Sequence, residues 1–315
     1  PVVKSGTPNL YFLAGVTASG KSAMALEWAE RNEAEILSCD SVALYRGMDI
    51  GSAKPNHEEQ TRVKHHGLDL ANVDQRYDVS QYNKYAEAII EEVYQRKGKV
   101  LVVGGSGFYL RSFFSAVVDE VMVSNEIKNS VEELYQLEGL DGLIEKLNNL
   151  NPSGLGKLDN LNPVRVIKAL ERCMATGSTL LELKVEFEKK PTPYCNFQKK
   201  TCLVDRGDEE IENLIKLRTQ SMLANGLIEE VEGLIDRGLL HNYPASSSVG
   251  YREILSYLRG ELSRDEIGPA IALSTRQLVS KQRKWFRKYY QADQILIPTG
   301  EELLNLDDLI WHSDT

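Results

Sequence analysis

The stretch GVTASGKS, Gly15–Ser22, limits what this chain can fold into more than any other eight residues. It meets G-x-x-x-x-G-K-[ST] at every fixed position. Such a loop works only between a buried strand and a helix, where backbone amides and the helix N-terminus gather around an anion. The flanks supply both: NLYFLAG is a short apolar β-rich run, and SAMALEWAERN has helical spacing. The loop residues Gly15, Thr17, Ala18, Ser19 and Gly20 are expected to cradle phosphate. Lys21 adds a point charge, and Ser22 offers a hydroxyl to Mg2+ bridging phosphate oxygens.

The alternation continues downstream. AEILSCD reads as a second strand ending on Asp40, QYNKYAEAIIEEVYQRKGK as a helix, and VLVVGGSG as a third buried strand broken by glycines. KTCLVD reads as a returning strand. Strands alternating with helices predict an α/β fold, a P-loop NTPase-like parallel sheet flanked by helices. From about Val121 to Lys190 the chain shows almost only helical periodicity, punctuated by Gly and Pro. We therefore expect a core of residues 1–120 and 197–315 and an all-helical insertion domain of residues 121–196. Long helices follow, one with a break near Asn225-Gly226, and the acidic tail GEELLNLDDLIWHSDT is expected to be loosely held.

The chain has 315 residues, 42% hydrophobic and 26% charged, as soluble domains are. No apolar run approaches the roughly 20 residues that span a bilayer, and the first residues lack a signal peptide's layout. A cytoplasmic protein with no membrane partner is expected. Four scattered cysteines without a C-x-x-C pair point to reduced, mostly buried thiols rather than zinc. His65 and His66, adjacent on an extended segment, point apart and suit a structural or substrate-shaping role better than one metal ion. The net charge of −9 argues against nucleic acid only if the charge is evenly spread. The helix TRQLVSKQRKWFRKYY is the exception, with Arg276, Lys281, Arg283, Lys284, Arg287 and Lys288 beside Trp285 and Tyr289. It can meet an RNA backbone through two or three of these cations, or be a solvated helix with its aromatics in the core.

A phosphate loop does not establish ATP use. Motor-type NTPases place a metal-holding Asp at the end of a later buried strand, where this chain has glycines. The nearest strand-end carboxylate is Asp40, in LSCDSVALYRGMDIG. At the open end of a parallel sheet it faces the crevice, either as a general base or as a turn or N-cap aspartate.

GVTASGKS, CDSVALYRGMDIGSAKP, VVGGSGFYLRS, SVGYRE and TRQLVSKQRKWFR follow the order and spacing found in tRNA dimethylallyltransferases. The resemblance runs from Leu10 to Ile297. It implies transfer of a dimethylallyl group from dimethylallyl diphosphate to N6 of the adenosine 3′-adjacent to the tRNA anticodon, with Mg2+ and release of diphosphate. In that reading Asp40 is the general base, Thr17 sits near donor and amine, and Lys21 and Arg218 grip the diphosphate. Asp40, Ser41, Val42 and Ala43 match the segment that meets the target nucleotide. Ser106 stands where threonine is usual and keeps the hydroxyl. Ser247, Ser248, Val249, Gly250, Tyr251 and Arg252 match a segment that meets the anticodon loop. Lys128, Val164, Arg165 and Lys168 fall in the insertion, expected to bind the anticodon arm. Val164 replaces a usual glutamine and cannot make its side-chain hydrogen bonds, whereas Arg165 is retained.

The shorter, bacterial-type members without a C-terminal zinc module are the nearest pattern, and a monomer is expected. Three rivals remain at this level: a P-loop small-molecule kinase, an RNA-binding protein without catalysis, and a prenyltransferase acting on free adenine nucleotides. The insertion lacks a kinase lid's arginine cluster. Intact Asp40 and Lys21 argue for catalysis. The basic helix and the insertion favour a macromolecular acceptor.

Overall fold

In the computed structural model the described residues are 6–117, 121–299, Leu309 and Trp311. Six strands form one sheet in the order β3-β2-β4-β1-β5-β6: β1 (Asn9–Gly15), β2 (Ala34–Ser38), β3 (His65–His66), β4 (Lys99–Gly104), β5 (Gln198–Val204) and β6 (Gln294–Leu296). Every pairing is parallel. The helices are α1 (Lys21–Arg31), α2 (His57–Arg62), α3 (Val79–Gln95), α4 (Gly107–Arg111), α5 (Asn125–Leu150), α6 (Pro163–Thr176), α7 (Leu180–Glu188), α8 (Asp208–Ala224), α9 (Leu227–Asp236), α10 (Tyr243–Ser246), α11 (Tyr251–Leu258) and α12 (Arg264–Tyr289). The expected break between two helices holds at Gly226, whose left-handed backbone (φ 95°) separates α8 from α9.

Central β1 is buried on both faces, as a parallel strand between helix layers must be. Alternation then sorts its side chains. Tyr11 packs on Trp28 of α1, ring centroids 5.0 Å apart, while Phe12 on the other face meets Phe113 and Phe114 at 5.4 and 4.9 Å. Trp311 also packs on Trp28 and Tyr11, at 5.2 and 5.6 Å, and is 1% exposed. Leu309 is buried in the same cluster. The expectation of a loosely held tail is therefore corrected at these two residues: a tryptophan fills the gap over the sheet. The rest of that tail lies outside the described residues.

By contact the chain divides into one unit of residues 1–114 and 194–315 and a second, Ser115–Pro193. The second unit is helical, with Val131, Leu143, Leu147, Val166, Leu170 and Cys173 at its centre. Gly139 kinks α5 at φ 67°, ψ −159°, a conformation open essentially to glycine alone. Asn151 closes the far end of α5. Its Nδ2 donates to the Leu147 carbonyl (2.8 Å) and its Oδ1 accepts from the Leu180 amide (2.6 Å), tying α5 to α7. Asn162 caps α6, with Pro163 at its first turn and left-handed Gly177 at its end.

Cys39, Cys173 and Cys202 are buried thiols and Cys195 is exposed. Among the described residues no helix is long and apolar enough to cross a membrane. The two histidines form the edge strand β3. His66 Nε2 lies 2.6 Å from Glu35 and His65 Nδ1 lies 2.8 Å from the Val63 carbonyl, and His65 also lines the cavity described below.

Candidate functional site

The strand register brings the chemistry to one edge. Gly104 pairs with Ala14 and Val204 with Gly15, so β4, β1 and β5 end together where the glycine-rich loop leaves the sheet. Ligands of open parallel sheets gather at this carboxyl edge. Close packing there explains two glycines. A Cβ on Gly15 would lie 2.6 Å from the Val204 carbonyl oxygen, and one on Gly104 would lie 2.1 Å from that of Cys39. We expect Gly104→Ala to cost about 1–3 kcal/mol of stability by forcing strands apart. Chemical denaturation of the two proteins side by side checks this.

The loop turns through left-handed Ala18 (φ 61°) and Gly20 (φ 86°). Gly20 caps α1 without a side-chain bond, so the first helical amides stay open to an anion. Lys21 folds back over the loop, its Nζ donating to the Val16 carbonyl at 3.2 Å. Withdrawal from water, then the nearby Arg218 charge, lowers the Lys21 pKa from its ordinary 10.5 to about 8, partly opposed by Asp40. Burial likewise lowers the Arg218 pKa, against the opposing pull of Asp40. Two cations thus share one carboxylate, which leaves the site positive. Ser19 departs from the expected role in part: its side chain is buried, and its Oγ has no hydrogen-bond partner among the described residues. Its backbone is engaged as well, the amide with the Val16 carbonyl (3.4 Å) and the carbonyl with Arg206 (2.9 Å), so Ser19 shapes the loop from within.

Strand β2 ends at Ser38, two residues before the predicted Asp40. The Cys39 amide makes one further bond to Val103 (2.7 Å), and the chain then turns. Asp40 Oδ1 accepts from the amides of Val42 (2.8 Å) and Ala43 (3.1 Å). Its Oδ2 has no hydrogen-bond partner among the described residues. The two readings of Asp40 therefore coexist in one side chain, with one oxygen shaping the turn and the other free for chemistry. Ser106 joins this turn to the end of β4: its Oγ accepts from the Ser41 amide (3.0 Å) and lies 3.2 Å from Ser41 Oγ.

These groups line one cavity of about 880 Å³. Thr17, Lys21 and Ser22 face it from the loop, residues 40–43 and Ser106 from the strand ends, and Arg218 from α8. Ser247, Ser248, Val249, Gly250 and Arg252 face it from the far wall. Tyr251 does not, which corrects its assignment as a surface contact. Its ring is fully buried and its hydroxyl donates to Glu230 at 2.7 Å. Glu230 also accepts from the amides of Asp49, Ile50 and Gly51 at 3.1, 2.7 and 3.2 Å. A Cβ on Gly51 would meet the Tyr251 ring at 2.5 Å. The GMDIGSAKP segment is thus anchored internally, while its Gly51, Ser52, Ala53 and Pro55 also line the cavity. Lys54, whose side chain is 4% exposed, completes that anchor by donating to Tyr45 O and Asp69 at 2.9 and 2.7 Å.

Sequence reasoning missed Gln282. Its Oε1 accepts from the Thr17 amide (2.9 Å) and its Nε2 donates to the Gly105 carbonyl (3.1 Å). One α12 side chain therefore clips the loop to the end of β4. A trace was present in the pattern: Thr275, Val279, Gln282 and Phe286 follow helical spacing, and a polar residue on a buried stripe must find partners. Gln282→Leu would leave an amide and a carbonyl unpaired. We expect affinity for inorganic diphosphate to fall about tenfold while the fold survives, read by calorimetry and thermal unfolding.

Two of the six α12 cations are committed inside the protein. Arg283 binds Asp205 at 2.9 Å and the Arg206 carbonyl at 2.7 Å, and Arg276 binds Glu212 at 2.9 Å. Arg206 in turn donates to the Ser19 carbonyl (2.9 Å), so this network props up the loop. Lys281, Lys284, Arg287 and Lys288 are exposed. Lys128, Val164, Arg165 and Lys168 belong to the second unit. There Val164 is 66% exposed, Arg165 lies 3.2 Å from Asp159, and Lys168 lies 2.7 Å from Glu171.

Comparison with known proteins places this geometry in context. The model of the IPP transferase family matches residues 43–289. A tRNA dimethylallyltransferase of Opitutus terrae is 44% identical over 280 residues, 89% of this chain and 90% of that protein. One from Geobacter metallireducens is 37% identical over the same shares of the two chains. The crystallographic structure of a eukaryotic dimethylallyltransferase acting on tRNA superposes with a TM-score of 0.81 over 98% of this chain and 77% of that one. At 21% identity it bears on the fold alone.

Proposed function

This chain belongs to the IPP transferase family, and on that footing we propose that it transfers the dimethylallyl group of dimethylallyl diphosphate to N6 of the adenosine 3′-adjacent to a tRNA anticodon. One observation carries the reading: Asp40, with one oxygen fixed by the turn and the other unbonded among the described residues, lines the same cavity as Lys21 and Arg218. An adenine amino group is a poor nucleophile because its lone pair is delocalised. An allylic diphosphate is a good electrophile once its leaving group is neutralised. N6 attacks the allylic carbon, the carbon–oxygen bond breaks, diphosphate departs, and the N6 proton passes to Asp40 Oδ2. Lys21, Arg218 and the open amides of α1 stabilise the charge that develops on the leaving diphosphate. Thr17, beside the loop's clip to Gln282, sits next to donor and amine.

Among the described residues no cluster of His, Cys, Asp or Glu side chains is set to hold a metal. The exposed Ser22 hydroxyl on the cavity wall suits Mg2+, which binds largely through substrate phosphates and water. Such an ion would add charge neutralisation on the leaving group. The relatives favour tRNA prenylation over phosphoryl transfer or a free nucleotide acceptor. Incubating the protein with tRNA, dimethylallyl diphosphate and Mg2+, then measuring nucleoside masses, tests the reading. N6-isopentenyladenosine is expected without ATP. Transfer to AMP at an equal rate, or strict ATP dependence, would overturn it.

The exposed cations of the second unit, with Arg165 foremost, supply RNA contacts in this reading. The protein acts as a monomer on the cytoplasmic tRNA pool. Each phosphate contact to single-stranded RNA contributes roughly −0.7 to the log–log salt slope. Arg165→Ala should weaken tRNA binding and flatten the slope by about that amount, with diphosphate binding unmoved. Filter binding across a salt series reads this.

A further inference from the structure

The short helix α4 carries an aromatic residue that the fold does not use. Tyr109 stacks on Tyr82 with centroids 4.6 Å apart, and Phe113 packs on Phe12 and Tyr194 at 5.4 and 5.3 Å. Phe114 packs on Phe12 at 4.9 Å. Phe108, in the same stretch, is 54% exposed and has no ring partner among the described residues. It nonetheless lines the 880 Å³ cavity, so its ring stands at the mouth.

The mount beneath that ring is fixed from three directions. Ser106, two residues earlier, is bonded to Ser41, the neighbour of Asp40. Gly105 is held by Gln282. Gly107 sits against Trp285 so closely that a Cβ there would lie 2.4 Å from the indole. Phe108 is thus an exposed flat surface at a set distance from the turn that holds Asp40. Beside it on the cavity wall stand Lys281 and Trp285 of α12. Lys281, Lys284 and Lys288 recur at i, i+3 and i+7, which puts three exposed charges along one side of that helix.

An apolar ring at a cationic mouth fits one ligand chemistry, an unpaired nucleobase followed by phosphates. Single-stranded RNA is bound in this way, with bases stacked on aromatic faces and the backbone along lysines. We propose that Phe108 is the stacking platform for the base that flanks the target adenosine in the anticodon loop. Stacking there holds the strand while the target nucleotide enters the cavity. The proposal rests on the tRNA reading of the site.

The test separates the two ideas. Wild-type prenylation of an anticodon stem-loop is measured first and bears on the site reading alone. Phe108→Ala should then raise the KM for the stem-loop about five- to a hundredfold, with little change in kcat and none in the Kd for dimethylallyl diphosphate. Phe108→Trp and Phe108→Tyr should restore the KM, whereas Phe108→Leu, equally apolar, should not. A stem-loop abasic at the flanking position should bind the wild type more weakly, yet bind Phe108→Ala no more weakly than the intact loop does. Wild-type KM in Phe108→Leu, or additive losses in the abasic series, would overturn the proposal even with prenylation intact.

Discussion

Asp40→Asn is expected to lower kcat by about 10²–10⁴-fold, the usual contribution of a positioned general base. The geometry makes this a clean substitution. Oδ1 of an asparagine still accepts from the Val42 and Ala43 amides, so the turn survives. What replaces the second oxygen is an amide nitrogen that cannot take the N6 proton. Removing a negative charge beside Lys21 and Arg218 also leaves diphosphate binding unchanged or slightly tighter. Asp40→Ala, by contrast, removes the turn's acceptor and should also cost tRNA affinity. Single-turnover rates with saturating donor distinguish the two. Near wild-type turnover of Asp40→Asn in a chemistry-limited assay would remove the base from the mechanism.

Lys21→Ala is expected to reduce kcat by about 10²–10³-fold, on the scale of losing one preorganised group at developing charge. It should also weaken diphosphate and dimethylallyl diphosphate alike. The same side chain sets a pH dependence. In the free protein Lys21 is charged below a pKa of about 8 and neutral above it. The bound diphosphate favours the charged form, so its presence raises that pKa. Donor affinity should therefore hold steady below pH 8 and fall by up to about tenfold per pH unit above it. In Lys21→Ala that decline should vanish. A wild-type binding profile flat from pH 7 to 10 would show that Lys21 does not bear on the diphosphate.

Much of this protein was legible from local pattern. The strand–loop–helix start, the parallel sheet and the helical insertion follow from hydrophobic periodicity and glycine placement, which act over a few residues. Lys21 and Asp40 of the cavity wall came from local motifs in the same way, whereas Ser106 and Arg218 were singled out only by the family resemblance. The two-residue β3 and three-residue β6 were missed, because such short edges carry no periodic signal.

The sequence alone singled out the candidate groups for the chemistry, because the phosphate loop and the strand-end carboxylate are contiguous stretches with one workable local geometry. Tertiary structure alone decided how those groups are held. The Thr17 amide meets Gln282 across 265 residues of chain, and the Ile50 amide meets Glu230 across 180. No short-range pattern encodes such pairs. It also decided that Tyr251 and Trp311 lie inside and Phe108 outside, and that Arg276 and Arg283 are tied to carboxylates while Lys281 is not. An aromatic or a cation reads alike in sequence whether buried, paired or free. Only the packing of distant helices against the sheet edge settles which surface it meets.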